Sequence, residues 1–402
     1  MPATGTGTGM TSPLEGPPHM RVAVVGAGFS GLISTLAMLR VGARVDLYEE
    51  HRRVGYPPHC TGLVSEWVVD MIGRPARSSI LAWYPGLELR VNGKATWIEP
   101  KGGVYKLDRV RLEEEMLGEA ESQGARILLG ARVSRATPDG TVHTPGGGER
   151  YDLVLLADGA HGALHRTLGI SHTPKKVTGL NAHYTTGPSP QGIIVDFTPS
   201  LHKDLFAWIL RVQDTVLAGT GGPPASARRL LERVERAYGL EGRNTIYGGT
   251  VLLGPPAPRP WRGKVVVIGD AAGLTKPLTG GGLYPSTQAA THAARLVDNG
   301  APPVDAWRRS VSRVAALLRR QYRVAEALRR DPRLLEETIA ALESSGLARG
   351  LAGKIDYDRH DRLPLEVVSR PLKGARFLAQ LAYRHPRGLL RALARVLAPG
   401  WA

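Results

Sequence analysis

The chain has 402 residues, of which 42% are apolar and 22% charged, so it can bury a substantial core and is not globally disordered. Aromatic residues reach only 6%, which argues against a stacking-based binder of single-stranded nucleic acid. The one cysteine, Cys60, excludes a disulfide framework and any cysteine-rich metal site. The formal net charge of +16 indicates attraction to a polyanion, such as nucleic acid, an anionic membrane face or a phosphorylated substrate.

The predicted strands and helices begin at Arg21, after residues 1–20, whose Gly, Thr and Pro content predicts a flexible leader. Arg21–Val25 predicts a buried strand, Leu32–Val41 a helix and Val45–Tyr48 a second strand. A strand, a glycine turn, a helix and a strand in this order form a βαβ unit, which requires a parallel sheet.

A glycine motif lies between the first predicted strand and the first predicted helix. Gly26, Gly28 and Gly31 have G-x-G-x-x-G spacing, and Glu49 follows the second strand. The glycines permit a tight turn, the approach of backbone to a pyrophosphate and close helix packing, while an acid at the strand end can accept hydrogen bonds from a ribose. The unit therefore predicts a dinucleotide site; a purely structural glycine turn is the alternative.

The rest of the chain predicts a mixed fold. Residues 51–63 read as a loop from their Gly and Pro content, and an Asn-Gly pair within residues 88–99 predicts a hairpin. Residues 178–253 alternate short apolar runs with turns, apart from one helix near 225–237, and predict a mostly antiparallel sheet. The other predicted elements are helices at Arg109–Gln123, Ser286–Asp298 and most of the chain after Ala301, and strands at Arg126–Leu129, Ala131–Arg135, Asp152–Ala157 and Lys264–Ile268.

Two later strand ends carry an acid beside small residues. Residues 151–166 run from a buried strand into Ala157, Asp158 and Gly159, and residues 264–283 run from a second strand into Asp270 and a glycine triplet at 280–282. Such an acid can bind a ribityl hydroxyl, and consecutive glycines that open a helix present N–H groups to an electron-rich acceptor. Ordinary strand-to-helix turns are the alternative interpretation.

Taken with the glycine motif, these segments resemble the FAD-binding motifs of the p-hydroxybenzoate-hydroxylase-like flavoprotein superfamily, across residues 21–290. Within that superfamily the chain is similar to the geranylgeranyl reductase family at residues 54–65 (VGYPPHCTGLVS), 206–221 and 276–284 (KPLTGGGLY). The resemblance implies FAD as the cofactor. The FAD contacts that it implies are Gly26, Gly28, Ser30, Gly31, Glu49, Cys60, Thr61, Gly62, Arg109, Val133, Asp270, Gly280, Gly281, Gly282 and Leu283. For Arg109, a solvated arginine in the first turn of a helix is the alternative.

Residues 206–221 resemble the substrate-cavity motif of the family. Trp208, Gly219 and Gly221 have the expected spacing, while Phe206 and Leu210 replace a Tyr and a Phe. The resemblance implies that the three large side chains wall an apolar slot for an isoprenoid tail and that the two glycines leave room for it. A plain core stripe on one strand face is the alternative.

Cys60 matches the family's cysteine in a Pro- and Gly-bounded loop. The resemblance implies that it lies beside the flavin, and a thiol that is mostly protonated at neutral pH can donate a proton. We therefore expect Cys60 to act in proton delivery or flavin positioning, with an inert residue of the pocket lining as the alternative. The neighbouring His59 is expected to face elsewhere.

The C-terminal quarter carries much of the positive charge. Residues 301–402 contain 20 Lys and Arg against 10 Asp and Glu, and no acid follows Val367. Within Leu389–Ala398 and its flank, one helix face carries Arg387, Arg391 and Arg395, and the other carries Leu389, Leu393, Val396 and Leu397. This pattern fits an ordinary docking helix or a helix lying on an anionic membrane surface; RNA binding is a third option, which no nucleic-acid motif supports.

The sequence thus predicts an α/β fold. A Rossmann-like FAD-binding domain would comprise residues 21–177 and 254–300, with the hairpin at 80–100 on the substrate side. An antiparallel-sheet substrate domain would comprise 178–253, and a basic helical region 301–402. The histidine and carboxylate spacings predict no metal site.

The resemblance further implies an enzyme that saturates the isoprenoid double bonds of geranylgeranyl lipids, with a digeranylgeranylglycerophospholipid as the expected substrate. An external donor, ferredoxin or a reduced nicotinamide, would supply electrons, and the protein would be cytoplasmic and peripherally associated with the membrane. The alternatives are an FAD-dependent monooxygenase of the aromatic-hydroxylase type and a non-catalytic, membrane-binding flavoprotein. No nucleic-acid partner is expected.

Overall fold

The computed structural model of the chain describes residues 20–170, 174–359 and 369–397. The predicted N-terminal leader therefore lies outside the described residues, apart from Met20. The side chains of residues 395–397, three positions of the predicted C-terminal amphipathic pattern, are likewise outside the description.

A six-stranded sheet carries the glycine motif. Its strands are β1 (Arg21–Val25), β2 (Arg44–Glu49), β8 (Arg126–Leu129), β12 (Leu153–Leu156), β18 (Trp261–Arg262) and β19 (Val265–Val267). Their order is β18-β19-β12-β1-β2-β8, and every pair is parallel except β18 with β19. The helices α1 (Phe29–Leu39), α4 (Arg109–Ser122) and α7 (Leu283–Asp298) belong to this unit. Strands β1, β12 and β19 are almost wholly apolar because the sheet is covered on both faces.

The strand predicted at Ala131–Arg135 is wrong. Residues 131–134 pair with no strand ladder, and only Arg135–Ala136, β9, enters a three-stranded meander with β10 (Thr141–Thr144) and β11 (Gly147–Arg150). The physical reason is the turn at Gly130, whose φ of 71° redirects the chain out of the parallel sheet directly after β8.

A seven-stranded sheet forms the second large layer. Its strands are β5 (Leu87–Val91), β6 (Lys94–Ile98), β13 (Lys176–Thr186), β14 (Ile193–Asp196), β15 (Ala207–Val212), β16 (Thr215–Gly222) and β17 (Glu241–Leu252), in the order β17-β13-β16-β15-β14-β5-β6. All pairs are antiparallel except β14 with β5. The predicted Asn-Gly hairpin is confirmed as β5–β6, and it extends this sheet. One face packs on α6 (Pro224–Tyr238), which confirms the helix predicted near 225–237.

Short elements join the two large sheets. The helices α2 (Glu66–Ile72) and α3 (Arg74–Ser78) lie between the strands β3 (Leu63–Val64), β4 (Ile80–Tyr84) and β7 (Val104–Leu107), which form a small sheet in the order β3-β7-β4. The helix α5 (Leu164–Thr167) follows the Ala157-Asp158-Gly159 turn, and a 3₁₀ turn at Gly269–Ala272 follows β19.

The described part of the chain after Ala301 is mostly helical, as predicted. Its helices are α8 (Pro303–Arg330), α9 (Pro332–Ser344), α10 (Leu347–Leu351), α11 (Pro371–Arg384) and α12 (Pro386–Leu397). Helix α9 lies against the edge strand β6, where Lys94 forms ion pairs with Glu336 (2.9 Å) and Glu337 (3.2 Å). Among the described residues, no helix combines the length and the apolar character that crossing a membrane requires.

Candidate active site

A cavity of about 540 Å³ lies between the two large sheets. At one end it is lined by the glycine turn after β1 and by the glycine triplet; its middle is lined by the Cys60 loop and by β15; its far end is apolar. The far-end lining includes Leu87, Leu89, Ile98, Leu342, Leu351 and Ile355. The cavity therefore joins a polar, glycine-rich end to a hydrocarbon-like chamber, as ligand sites with a few polar anchors do.

The glycine turn leaves space where a dinucleotide needs it. A Cβ on Gly31 would lie 1.8 Å from the Gly26 carbonyl oxygen, so this glycine permits close packing of α1 on the turn. At Gly28, which lines the cavity, nothing lies within 4 Å of an added Cβ. Gly28 also stands at the start of α1, where no side chain caps the helix. Open space beside free N–H groups at a helix start fits a pyrophosphate.

Asp270 supplies an independent test of the fit to FAD. Its carboxylate lines the cavity and has no hydrogen-bond partner in the part of the chain that the structure describes. Burial raises the pKa of Asp270, while His59 and Arg109 act in the opposite direction. A half-buried acid that faces a cavity can accept a hydrogen bond from a ligand there, and a ribityl hydroxyl would donate one. The residues present therefore fit FAD.

Glu49 lies at the glycine turn outside the main cavity. Its carboxylate accepts hydrogen bonds from the Ala27 N–H at 2.7 Å and from the His51 N–H at 2.9 Å. The acid thus fastens the turn from the tip of β2, which is the position predicted for a ribose-binding acid. Sequence reasoning did not foresee that the same carboxylate also orders the turn.

Arg109 is buried and lines the cavity, so the alternative of a solvated arginine is wrong. It forms a buried ion pair with Glu113 one helical turn later. Burial lowers the pKa of Arg109, but the carboxylate of Glu113 beside it outweighs burial and holds that pKa above its ordinary value. Val133, the other contact predicted near this helix, is buried in the core around the first sheet and is absent from the cavity lining.

The Cys60 loop is tied to the second sheet through Asn181. The Thr61 hydroxyl donates to Asn181 Oδ1 at 2.8 Å, and the Trp208 indole N–H donates to the same oxygen at 3.0 Å. Cys60 and Gly62 line the cavity, where the Gly62 N–H donates to Cys60 Sγ at 3.4 Å. His59 also lines the cavity, so the expectation that it faces elsewhere is wrong. The loop is thus held across the cavity by one buried amide that the sequence did not single out.

Trp208 and Phe206 line the cavity, and Leu210 lies on the same strand face but inside the core behind them. The predicted role of the two glycines needs correction. A Cβ on Gly219 would lie 2.3 Å from the Trp208 ring, and one on Gly221 would lie 2.5 Å from Leu205. The glycines therefore make room for side chains that form the wall, and the space beside them is already filled.

The glycine triplet is held by a residue distant in sequence. Gly280, Gly281 and Gly282 line the cavity, and Leu283, which also lines it, begins α7. Lys276 of the same segment forms a buried ion pair with Asp358, and each side chain is at most 4% exposed. The second oxygen of Asp358 accepts the Ser65 N–H at 2.8 Å.

The C-terminal region closes the far end of the cavity. Its contribution to the lining is Leu342, Leu351, Ile355, Asp356 and Tyr357. Sequence reasoning treated this region as a basic tail, because no motif marks it. No group of three or more His, Cys, Asp or Glu side chains in the described chain could hold a metal ion.

Comparison with known proteins identifies what this architecture resembles. No protein-family model matches the chain. Digeranylgeranylglycerophospholipid reductase 1 of Methanopyrus kandleri is 27% identical over 287 residues, which cover 65% of this chain and 76% of that protein. A geranylgeranyl bacteriochlorophyll reductase-like protein of Thermoplasma acidophilum has the same fold, with a TM-score of 0.70 and 16% identity over 94% of this chain and 99% of that one. The 2-methyl-3-hydroxypyridine-5-carboxylic acid oxygenase also shares the fold, with a TM-score of 0.56 and 17% identity over 78% of this chain and 93% of that one.

The fold and the site define an FAD-dependent oxidoreductase of the p-hydroxybenzoate-hydroxylase-like superfamily. Gly28, Asp270 and the glycine triplet fit the cofactor, and an apolar chamber adjoins them. Within that superfamily, the chain is similar to curated geranylgeranyl reductases, among them the Methanopyrus kandleri protein.

Proposed function

We propose that this protein saturates the double bonds of a geranylgeranyl lipid and that a digeranylgeranylglycerophospholipid is its substrate. The observation that carries the proposal is the single cavity in which the residues that fit FAD adjoin an apolar chamber. The substrate class follows the printed name of the Methanopyrus kandleri relative. Removing a long hydrocarbon tail from water supplies the binding energy, at roughly 25 cal/mol per Å² of apolar surface.

We assign the cofactor contacts to the residues at the glycine-rich end. Gly26, Gly28, Ser30 and Gly31 form the phosphate turn, Glu49 faces the ribose side, and Asp270 with the glycine triplet accommodates the ribityl chain and ring. When bound and reduced by an external electron donor, FAD would supply the hydride that saturation of an alkene requires. Arg109, beside Cys60 and Phe29, stabilises anionic charge at this end of the cavity.

The protein's own chemical task is to place a proton and to exclude water. An isolated trisubstituted alkene is a poor hydride acceptor unless a proton reaches the less substituted carbon. Cys60 lines the cavity between the glycine-rich end and Trp208, and its thiol is the proton donor in this proposal. The apolar walls keep the tail dry and aligned, so that the donated proton is not lost to solvent.

We further propose that the C-terminal helices dock on an anionic membrane surface. Leu372 and Tyr383 of α11 are 87% and 90% exposed, and Leu390 of α12 is 66% exposed, each on a helix rich in arginine. Phe377, on the inner side of α11, packs against the cluster that contains Leu351, a residue of the cavity lining. A membrane contact at α11 would thus lie one layer of side chains from the lipid chamber.

Anaerobic incubation tests the proposed reaction. Dithionite-reduced holoprotein is mixed with a digeranylgeranylglycerophospholipid, and the lipid is examined by mass spectrometry. We expect products heavier by successive steps of two mass units. An unchanged lipid would contradict the proposal.

The fold shared with an oxygenase favours a second candidate, an FAD-dependent monooxygenase. That activity would consume dioxygen and a reduced nicotinamide in the presence of substrate and add oxygen to it. An oxygen electrode separates the two candidates, because the proposed reductase needs no dioxygen.

A further inference from the structure

A second, polar cavity of about 330 Å³ adjoins the apolar one. Ile355 and Asp356 line both cavities, so the two cavities meet at one short segment of chain. Trp67 and Glu66 of α2 form the opposite wall of the polar cavity. An apolar chamber and a polar pocket that share a wall are together suited to an amphiphile.

The formal charges of the polar cavity balance, but two of its cations have no ion-pair partner in the described chain. Lys101, Lys354 and Arg359 line it, together with three carboxylates. Of the carboxylates, Asp70 is already paired with Arg77 at 2.8 Å. Burial raises the pKa of Asp356, while the Asp358 N–H and Lys276 act in the opposite direction. Lys101 and Lys354 are exposed, and neither forms an ion pair with any residue that the structure describes.

The two unpaired lysines are held in place by their backbones. The Lys101 N–H donates to the Ile355 carbonyl at 2.8 Å, and the Gly353 N–H donates to the Glu99 carbonyl at 2.8 Å. The segment that carries Lys354 is thereby fastened to the turn that carries Lys101. The buried pair of Asp358 with Lys276 anchors the same segment to the wall of the apolar cavity. The backbone positions from which the two lysines extend are therefore fixed relative to each other.

We propose that the polar cavity binds the phosphate-bearing head of the isoprenoid substrate whose tail occupies the apolar cavity, with Lys101 and Lys354 as its principal contacts. This inference rests on the proposed function, because it concerns the polar end of the same substrate. Ammonium groups bind phosphate oxygens by charge-assisted hydrogen bonds. The site then selects amphiphiles with an anionic head over the corresponding free alcohols.

The test compares two ligands with one tail. Binding of geranylgeranyl diphosphate and of geranylgeraniol to the holoprotein is measured by calorimetry for the wild type and for Lys101→Ala/Lys354→Ala. We expect the double variant to bind the diphosphate about tenfold more weakly or worse, and the alcohol unchanged. Lys101→Arg/Lys354→Arg should restore most of the affinity, since the charge is retained. Digeranylgeranylglyceryl phosphate, as a third ligand, shows whether a phosphomonoester at a glycerol head uses the same lysines.

A matched control separates this site from general electrostatics. Arg228→Ala/Arg229→Ala removes the same charge from exposed positions of α6, which packs on the other face of the seven-stranded sheet. It should leave both affinities unchanged. The inference would be overturned if the lysine double variant bound the diphosphate as tightly as the wild type does. It would also be overturned if the variant lost the same affinity for the diphosphate as for the alcohol. Failure of the wild type to reduce any of these lipids would instead contradict the proposed function; it is measured by mass spectrometry after dithionite is added anaerobically to samples of the same composition.

Discussion

Replacing the buried lysine of β7, Lys106→Met, should make the folded protein more stable. Lys106 is 5% exposed, and its ammonium donates one hydrogen bond, to the Leu107 carbonyl at 2.8 Å. Burial lowers its pKa from 10.5 to about 8, although the nearby Cys60 and Asp108 act in the opposite direction. The folded state therefore disfavours this charge relative to the unfolded chain.

The magnitude follows from that difference in pKa. A difference of about 2.5 units at about 1.36 kcal/mol per unit places the cost of the buried charge at about 3 kcal/mol. Loss of the hydrogen bond to Leu107 costs the variant about 1 kcal/mol, so Lys106→Met should gain about 2 kcal/mol at pH 7. Because the folded pKa lies below the unfolded one, the unfolded wild type binds more protons between pH 8 and 10.5. Wild-type stability should rise with pH across that window, where the gain of the variant shrinks and then reverses.

Urea unfolding followed by tryptophan fluorescence, at pH 7 and at pH 10, measures both effects. Lys203→Met, at an exposed lysine, is the control and should leave the pH dependence of the wild type intact. Parallel pH profiles for the wild type and Lys106→Met, or a less stable variant at pH 7, would refute the reasoning.

Three further outcomes test the site. Glu49→Ala and Asp270→Ala should each purify with less FAD, measured by absorbance, because each removes a hydrogen-bond acceptor at the glycine-rich end. Glu50→Ala, at the adjacent exposed acid, is the control and should retain FAD. Full flavin content in both site variants would show that the cofactor is misplaced. Cys60→Ser should retain FAD but slow alkene reduction in single-turnover assays, because the serine hydroxyl is a weaker acid than the cysteine thiol. If the variant has the wild-type rate and product distribution, Cys60 has only a positional role. Deletion of residues 386–402 should weaken co-sedimentation of the protein with anionic liposomes, and added salt should weaken that of the intact protein. If the truncated protein binds liposomes as strongly as the full chain and salt has no effect, the helix only packs against the rest of the fold.

Local features of the fold could be predicted from the sequence because each is determined by neighbouring residues. The run Arg21–Val25, a glycine turn, an apolar helix and a second short apolar strand predict a βαβ unit, which the parallel pair β1–β2 confirms. The hairpin β5–β6 turns at Asn92 and Gly93, which both have positive φ (47° and 80°), as the Asn-Gly pair predicts. The strand predicted at Ala131–Arg135 failed because its composition is strand-like while the turn before it directs the chain elsewhere.

The contacts that complete the site could not be predicted, because they join residues distant in sequence. Asp358 reaches Lys276 across 82 residues, and nothing in its local sequence marks it as a partner. Asn181 binds both Thr61 and Trp208, yet a single Asn in a strand carries no signal of that role. The spacing of Gly219 indicated a need for space but not that the Trp208 ring occupies it.

The most direct test of the central claim is anaerobic reoxidation of the dithionite-reduced holoprotein by its lipid. Flavin absorbance is followed in single turnover with a digeranylgeranylglycerophospholipid and, as the control, with its fully saturated counterpart, and the lipid is then analysed by mass spectrometry. The account predicts reoxidation by the unsaturated lipid alone, with one flavin reoxidised for each gain of two mass units. Reduced flavin that persists with both lipids until dioxygen is admitted would contradict it.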